Sequence, residues 1–330
     1  MKTSQTGTIA RFLEVSSVRT PQRRDLMEGT QEQYSNELRK FWRWSGKKPA
    51  SQWTGADVEG YQHHLRDERY SRSSRKTALC ALVYVFKHVL LRELGTLNLP
   101  AMPKEKPTLK IIPNRQEIGR IFASMKGMVR VMAGLMYGSG LRVSEVCELR
   151  VKDIDIDSLS LRIYDGKGEK NRLCLLPHSM VAAIQGQITW RQALHARDLA
   201  DGAGFVDLPG RYGQKNRGAS KDIRWQYLFP SALIRGQRRW YLTPKALQKA
   251  MAKAVRAAGI LKIVTPHTLR HAYCTHSQQC GNDIATVSAL MGHETIETTQ
   301  IYSHADAALG VSPMDAAIVR PAKLALPAFA

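Results

Sequence analysis

Apolar residues recur at helical spacing over the first hundred positions of the chain. One stripe, which includes Leu38 and Phe41, predicts a helix that begins at the capping-box sequence Thr30–Gln33. The same spacing predicts a second helix over residues 57–70 and a third helix that starts near Ser74. The N-terminal part of the chain is therefore expected to be a bundle of short amphipathic helices.

A proline-rich segment interrupts this pattern between positions 100 and 107, where three prolines occur. Proline lacks an amide N–H and cannot continue a helix, so this segment is expected to be an extended linker. We place a domain boundary there. The prediction is an N-terminal helical domain over residues 1–105 and a second domain over residues 106–330.

The second domain combines further helical patterns with one strand pair. Residues 159–164 and 171–176 have the apolar or alternating pattern of strands, and the glycine-containing segment 165–170 would join them as a hairpin. The predicted fold is mainly α with a small antiparallel β-sheet. Helices are expected near residues 114–125, 128–137, 178–194, 244–258, 267–279, 283–291 and 295–303.

The charge of the chain indicates its partner. Lysine and arginine number 49 against 28 acidic residues, which gives a formal net charge of +21. Both predicted domains share this excess, so it is not the property of a tail. A polyanion such as DNA is the natural partner, because each neutralised phosphate releases condensed counterions.

Cysteine usage and hydropathy bear on the cellular compartment. The five cysteines are scattered without a Cys-x-x-Cys pair, which is typical of a reduced, intracellular protein. No N-terminal apolar signal segment and no run of 18 apolar residues occurs. A cytoplasmic protein without membrane association is expected.

Two candidate catalytic cations come from glycine-rich segments. Arg142 follows Gly138-Ser139-Gly140, where glycines would let the backbone turn close to a ligand, and its planar guanidinium suits two phosphate oxygens. Lys167 lies at the tip of the predicted hairpin, from which it could deliver a proton. Each residue alone could equally be an ordinary surface cation.

Two further groups lie closer to the C-terminus. His267 and Arg270 are three residues apart, so they share one face near the positive N-terminal end of a predicted helix. His293 is followed nine residues later by Tyr302. A free tyrosine, with a pKa of about 10, is a poor nucleophile at neutral pH and needs cationic neighbours.

The four groups together supply the parts of one phosphoryl-transfer reaction. Arginines and histidines can neutralise charge that accumulates on a phosphodiester, and a lysine can protonate the leaving oxygen. A tyrosine can attack phosphorus and keep the bond energy in a covalent intermediate. We expect no cofactor and no metal, since the sequence has no carboxylate cluster of metal-ligand character.

The boxes that carry these residues resemble those of the tyrosine recombinase (phage integrase) family. They read YGSGLRVSEVCELRVKDID, DGKGEKNRLCLLP, TPHTLRHAYCTH and LMGHETIETTQIYSH. The resemblance implies a SAM-like core-binding domain and a catalytic domain that form a C-shaped clamp around DNA, and a homotetramer on two DNA sites. The implied catalytic residues are Arg142, Lys167, His267, Arg270, His293 and the nucleophile Tyr302.

A narrower resemblance concerns an insertion at about residues 186–241, which is similar to the extra segment of integron integrases. It implies binding of folded single-stranded recombination sites through extrahelical bases. Aromatic and basic side chains in it could stack on bases and hold the backbone. The candidate DNA-binding residues are Trp225, Arg238, Arg239, Trp240 and Tyr241, together with Arg72, Arg75 and Lys76 in the third helix of the N-terminal domain.

Three other interpretations remain open from the sequence. The chain could be a Xer-like or phage-type integrase that acts on duplex sites only. It could also be a DNA-binding regulator that kept the fold and lost catalysis. Finally, the spacing of His271, Cys274, His276 and Cys280 is superficially similar to that of a zinc site, although one helix does not easily turn four side chains onto one ion.

Overall fold

The computed structural model describes residues 26, 28–102, 111–164, 171–210, 212–216, 218–292 and 312–315. The chain divides into two compact units, Met1–Leu109 and Lys110–Ala330.

Among its described residues, the first unit contains three α-helices, α1 (Glu28–Trp44), α2 (Gly55–Asp67) and α3 (Arg72–His88). Helix α1 begins two residues before the predicted capping box, so Thr30 lies inside its first turn. Thr54 caps the start of helix α2, and its side chain accepts a hydrogen bond from the amide of residue 57.

Aromatic rings hold the centre of this unit together. The Phe41 ring meets Trp53 and Tyr61 edge-on, with centroid separations of 4.9 and 5.2 Å. Val58 and Leu82 bring α2 and α3 onto the same core, where both side chains are almost completely buried. The predicted helical stripes therefore form one shared core.

The second unit is built around a central helix, α5 (Gly127–Ser139), whose second half is entirely buried. Helix α5 packs against the helix that follows Arg142 and against the helix that carries His267 and Arg270. The other α-helices in the described part of this unit are α4 (Arg115–Ala123), α6 (Val143–Glu148), α7 (Val181–Ala200), α8 (Tyr212–Lys215), α9 (Pro244–Ala257), α10 (Pro266–Gln279) and α11 (Ile284–Met291).

A three-stranded antiparallel sheet flanks this bundle, in the order β1 (Ile154–Asp155), β2 (Ser160–Ile163) and β3 (Arg172–Leu175). Ile163 pairs with Arg172 at the open end of the β2–β3 pair, which confirms the predicted strand pair. The connection over residues 165–170, where Lys167 was expected at the tip, lies outside the described residues.

The insertion contains a second antiparallel pair, β4 (Pro230–Arg235) and β5 (Arg238–Tyr241). Gly236 opens the two-residue turn between them with a φ of 60°. The sequence pattern did not predict this hairpin, because β4 is exposed along most of its length and needs no apolar alternation. Helix α7 also continues six residues beyond its predicted end at 194.

A short C-terminal segment, Ser312–Asp315, returns to the second unit, and we call it the C-terminal clasp. Ser312 Oγ donates to the carbonyl of Gly138 at 2.7 Å. The Asp315 carboxylate accepts from the amides of His178 and Ser179 at 2.8 and 3.1 Å. A Cβ at Gly138 would lie 2.6 Å from Met314 Sδ, so the glycine makes room for the clasp.

Candidate active site

An abrupt turn between α5 and α6 presents Arg142, the first arginine of the YGSGLRVSEVCELRVKDID box. Gly140 ends α5 with a φ of 68°, and a Cβ there would lie 2.6 Å from the Tyr273 ring. Arg142 follows as the N-cap of α6. Glu145 accepts from the Arg142 amide at 2.7 Å and from its guanidinium at 2.7 Å. The Arg142 side chain is held by this carboxylate and remains 36% exposed.

Glu145 is the electrostatic centre of the site. Its carboxylate also accepts two hydrogen bonds from Arg172, at 2.8 and 2.7 Å, and lies 3.8 Å from the guanidinium of Arg270. Burial raises the pKa of Glu145, but Arg172 and Arg142 outweigh that effect and hold the pKa at about 2. Three guanidinium groups thus share one carboxylate, which leaves an excess of positive charge.

Arg270 lies in the second turn of α10, where the sequence predicted it. Thr265 caps this helix and Pro266 occupies its first position. The Arg270 guanidinium is buried and donates to the carbonyl of Gly140 at 2.6 Å. Burial lowers its pKa to about 10, so the side chain remains charged at neutral pH.

The end of α11 binds all three arginines. A helix leaves its last carbonyls without partners inside the helix and carries partial negative charge there, which guanidinium groups satisfy well. Each arginine also ties this helix end to Glu145. The carbonyl–arginine pairs are Leu290 with Arg172 at 3.1 Å, Met291 with Arg270 at 2.5 Å and Gly292 with Arg142 at 3.1 Å.

The structure places the other predicted residues as follows. His267 is exposed one turn before Arg270, and its ring lies 4.4 Å from that of His271, edge to face. Lys167, His293 and Tyr302 lie outside the described residues. The site therefore brings Arg142 and Arg270 together, with His267 one turn away on the same helix. How Lys167, His293 and Tyr302 join them stays a prediction.

Two members of this cluster were missed by the sequence analysis. Glu145 stands three residues after Arg142, which is the spacing of a capping box, and that signal could have found it. Arg172 begins a strand and reaches Glu145 from 27 residues away in sequence. No local pattern reveals such a contact.

Comparison with known proteins identifies the family. A family profile described as "Phage integrase family" matches residues 114–308, and a second, "Phage integrase, N-terminal SAM-like domain", matches residues 12–96. The chain belongs to the phage integrase family. By family it is a tyrosine recombinase, an enzyme class that performs site-specific DNA recombination.

Relatives of this integrase cover most of its length. An integrase/recombinase of Escherichia coli is 33% identical over 300 residues, which are 87% of this chain and 88% of that protein. The tyrosine recombinase XerA of Pyrococcus furiosus is 30% identical over 255 residues, which are 77% of each chain.

Solved structures share the fold of the integrase. A Tn1549 transposon integrase in complex with transposon right end DNA has a TM-score of 0.58 at 17% identity and covers 92% of this chain and 97% of its own. A lambda integrase dimer bound to a core site has a TM-score of 0.56 at 14% identity, with coverages of 87% and 94%. The predicted mainly helical fold, with a SAM-like domain, a catalytic domain and small antiparallel sheets, is confirmed.

The structure corrects the prediction for Arg75 in the N-terminal unit of the integrase. Its side chain is turned inward, and its guanidinium donates to the carbonyls of Pro100 and Ala101 at 3.0 and 3.4 Å. A buried guanidinium that fixes the end of the unit is not available to a phosphate. Arg72 and Lys76, on the same helix, are exposed, and their role in DNA binding stays a prediction.

Arg239 requires the same correction. Its side chain is 7% exposed and forms a buried ion pair with Asp198 on α7. It also donates to the carbonyl of Ser231 at 2.9 Å. Arg239 therefore connects the β4–β5 hairpin to α7. Removal of either partner would leave an uncompensated buried charge and destabilise this contact.

The neighbouring side chains of the hairpin do face outward. Trp240 is 36% exposed, and Arg238 is exposed and ion-paired with Asp207 at 2.6 Å. Both residues line a cavity of about 570 Å³, along with Phe205 and Arg235. Tyr241 is half-buried against the Tyr227 ring, with centroids 5.1 Å apart.

Trp225 lies in a separate aromatic and basic cluster. Its ring is half-buried and packs on Tyr212 at a centroid distance of 4.7 Å. Lys152 Nζ lies 4.6 Å from the Trp225 ring and 4.3 Å from the ring of Tyr164, which directly precedes the Lys167 connection. Cations over aromatic faces of this kind stabilise the cluster and add positive charge to the surface.

The alternative zinc site is not formed by the described residues, among which no group of three histidine, cysteine, aspartate or glutamate side chains could hold a metal ion. His276 Nδ1 lies 2.9 Å from Tyr137 Oη, and Cys280 Sγ accepts from Arg115 at 3.0 Å. These contacts direct the two side chains to different partners.

Within the described ranges, no helix has both the length and the apolar character needed to cross a lipid bilayer.

Proposed function

We propose that this protein cleaves and rejoins DNA strands through a 3′-phosphotyrosine formed at Tyr302. The observation that carries the proposal is the cluster of Arg142, Arg172 and Arg270 around Glu145. An excess of fixed positive charge, partly buried and held by backbone carbonyls, is suited to a phosphate that gains charge in the transition state. Family membership supports the same reaction.

The chemistry follows from the residue types. Arg142 and Arg270 would stabilise the non-bridging oxygens of the scissile phosphate, with His267 and His293 beside them. The phenolic oxygen of Tyr302 forms the new bond to phosphorus as the bond to the 5′ oxygen breaks. Lys167 would donate a proton to that leaving oxygen. The reverse attack by a 5′ hydroxyl releases the tyrosine and restores a phosphodiester.

Covalent capture tests this proposal without a known site sequence. Purified protein is incubated, in buffer with EDTA, with a pool of singly nicked duplexes and folded single strands that carry randomised sequence. A strand lost from the nick cannot rejoin, so cleaved DNA accumulates on the protein. We expect a denaturation-resistant adduct that mass spectrometry maps to Tyr302. An adduct on another residue, or none from any pool, would overturn the proposal.

We further propose that the substrate includes a folded single-stranded site, as the resemblance to integron integrases implies. The support is the insertion, where Trp240 and Arg238 are exposed on one hairpin. An exposed indole can stack on an unpaired base, and nearby cations can hold the backbone. The competing proposal, a recombinase that acts on duplex sites only, is compatible with the XerA relatives.

Replacement of Trp225 and Trp240 by alanine distinguishes these substrates. Stacking contributes roughly 1–3 kcal/mol per base, so the double variant should bind captured folded strands at least about tenfold more weakly. Its affinity for the matching duplex should change little. Filter binding or fluorescence anisotropy measures both affinities. Trp190→Ala is the matched control, because this tryptophan is 48% exposed on α7 and lines a different cavity from the hairpin residues. Equal losses on both substrates would favour the duplex-only recombinase.

We also propose that four copies assemble on two DNA sites. A lambda integrase tetramer bound to a Holliday junction has a TM-score of 0.54 to this chain at 15% identity. The apolar run Ala316–Val319 suggests that the tail after Tyr302 packs on a neighbouring copy, and these residues lie outside the described ones. Mass photometry with captured DNA should register the assembly, and a complex that never exceeds a monomer per site would contradict it.

A further inference from the structure

We propose that Arg172 is a positioning residue for strand cleavage, which sets the orientation of Arg142 and Arg270 through their shared carboxylate. The inference rests on the proposed cleavage at Tyr302. Arg172 is the first residue of β3 and lies two residues after the connection that carries Lys167. Nothing in the sequence boxes singles it out.

The whole guanidinium of Arg172 is engaged inside the protein. Its two terminal nitrogens bind the two oxygens of Glu145, and its Nε donates to the Leu290 carbonyl. The side chain is 11% exposed. This two-pronged contact fixes the plane of the carboxylate as well as its position. Arg172 therefore acts on the reaction through Glu145 and not by touching DNA.

The same side chain explains the glycine that precedes His293. Gly292 has a φ of 63°, and a Cβ on it would lie 2.9 Å from Arg172 Cδ and 3.2 Å from Nε. Arg172 thus passes directly against the end of α11. Arg172 therefore links three parts of the proposed active site. They are β3, which follows Lys167, helix α6, which follows Arg142, and Gly292, which precedes His293.

Loss of Arg172 would leave Glu145 with a different set of partners. Arg142 would remain hydrogen-bonded to the carboxylate at 2.7 Å, and the next cation is Arg270, whose Nη1 is 3.8 Å from the carboxylate and donates instead to Gly140. Without Arg172, a charge attraction would draw Arg270 toward Glu145 and away from that carbonyl. A displacement of about 1 Å in a catalytic group is enough to slow a reaction roughly 100-fold.

The test compares Arg172→Met and Arg172→Lys with the control Arg162→Met. Arg162 lies on the adjacent strand β2, is exposed, and loses the same charge. On DNA captured by wild type, we expect Arg172→Met to form the adduct about 100-fold more slowly at saturating DNA, with a Kd within about threefold of wild type. The rate of adduct formation by Arg172→Lys should lie between those of Arg172→Met and wild type, because an ammonium keeps the charge but not the two-pronged geometry of the guanidinium.

A second variant keeps the inference testable if Arg172→Met folds poorly. Gly292→Ala should slow adduct formation in wild type, partly through the clash with Arg172. Arg172→Lys keeps Cδ but loses the contacts of Nε and of the two terminal nitrogens that hold the side chain against Gly292. The lysine side chain can therefore move aside, and Gly292→Ala added to Arg172→Lys should slow the reaction by a smaller factor. Thermal melting of each variant checks that it is folded.

Several outcomes would overturn the inference. If Arg172→Met forms the adduct at the wild-type rate, Arg172 is not needed to orient the Glu145 carboxylate. A Kd that rises in step with the rate loss would mean that Arg172 binds DNA directly. Equal factors for Gly292→Ala in both backgrounds would remove the proposed contact. Absence of an adduct from wild type would instead overturn the proposed function, so the two failures are distinguishable.

Discussion

A protein with phenylalanine at position 302 is expected to bind the captured DNA with unchanged affinity and to form no covalent adduct. The substitution removes one oxygen, which is the atom that would bond to phosphorus, and leaves the charges around Glu145 intact. Gel electrophoresis under denaturing conditions measures the adduct, and anisotropy measures the affinity. We expect complete loss of the first signal with the second preserved.

Tyr273→Phe is the matched control for that result. Tyr273 lies on α10, three residues after Arg270, and its ring packs against Gly140. Burial raises the pKa of its phenol, so it cannot supply a phenolate at neutral pH. This variant should keep the adduct. An adduct that survives Tyr302→Phe would mean that another residue is the nucleophile.

Glu145→Gln is expected to produce the second large effect, a loss of stability of about 3–5 kcal/mol together with slow cleavage. A neutral amide would leave Arg142, Arg172 and Arg270 close together without their common counter-charge. Bound DNA would supply some of the missing negative charge. The melting temperature of this variant should therefore rise more on DNA binding than that of wild type.

The pH dependence of unfolding provides an independent measure. The pKa of Glu145 is lowered to about 2 in the folded protein, so its contribution is fully present above its unfolded value, near 4.5. It is lost as the pH falls from that value toward about 2, and it amounts to about 3 kcal/mol. The glutamine variant should lack this part of the acid sensitivity in denaturant titrations.

Glu148→Gln is the control for both measurements. Glu148 lies three residues further along the same short helix, where it shares a hydrogen bond with Tyr241 and lies in the field of the Arg150 charge. Burial raises its pKa, so neutralising it should cost little stability. Similar effects from the two substitutions would show that charge loss on α6, and not the cluster, is responsible.

The sequence was sufficient for the parts of the site that depend on local signals. Thr265 and Pro266 marked the start of α10, and the three-residue spacing then placed His267 and Arg270 on its first turns. Glycine at position 140 marked the turn before Arg142, although the glycine at 138 serves the C-terminal clasp instead of a ligand. Local chemistry of caps and turns explains these successes.

The failures concern the direction in which a charged side chain points. Arg75 and Arg239 were counted as surface cations, yet both turn inward toward carbonyls or a buried aspartate. Their partners, Pro100 and Asp198, are 25 and 41 residues away, so tertiary packing decides the outcome. Arg172 was overlooked for the same reason. Composition predicts that a polyanion binds but not which cations bind it.

The C-terminal clasp gives the stretch between Gly292 and Ser312 two fixed ends on one unit. Arg142 donates to the carbonyl of Gly292, and Ser312 donates to the carbonyl of Gly138, which lies four residues before Arg142. Two ends that are anchored on the same unit keep the residues between them at a high effective concentration near those anchors. Tyr302 lies between them in sequence. We therefore expect each active site to use its own Tyr302, because a neighbouring copy at micromolar concentration would not compete for the same phosphate on equal terms.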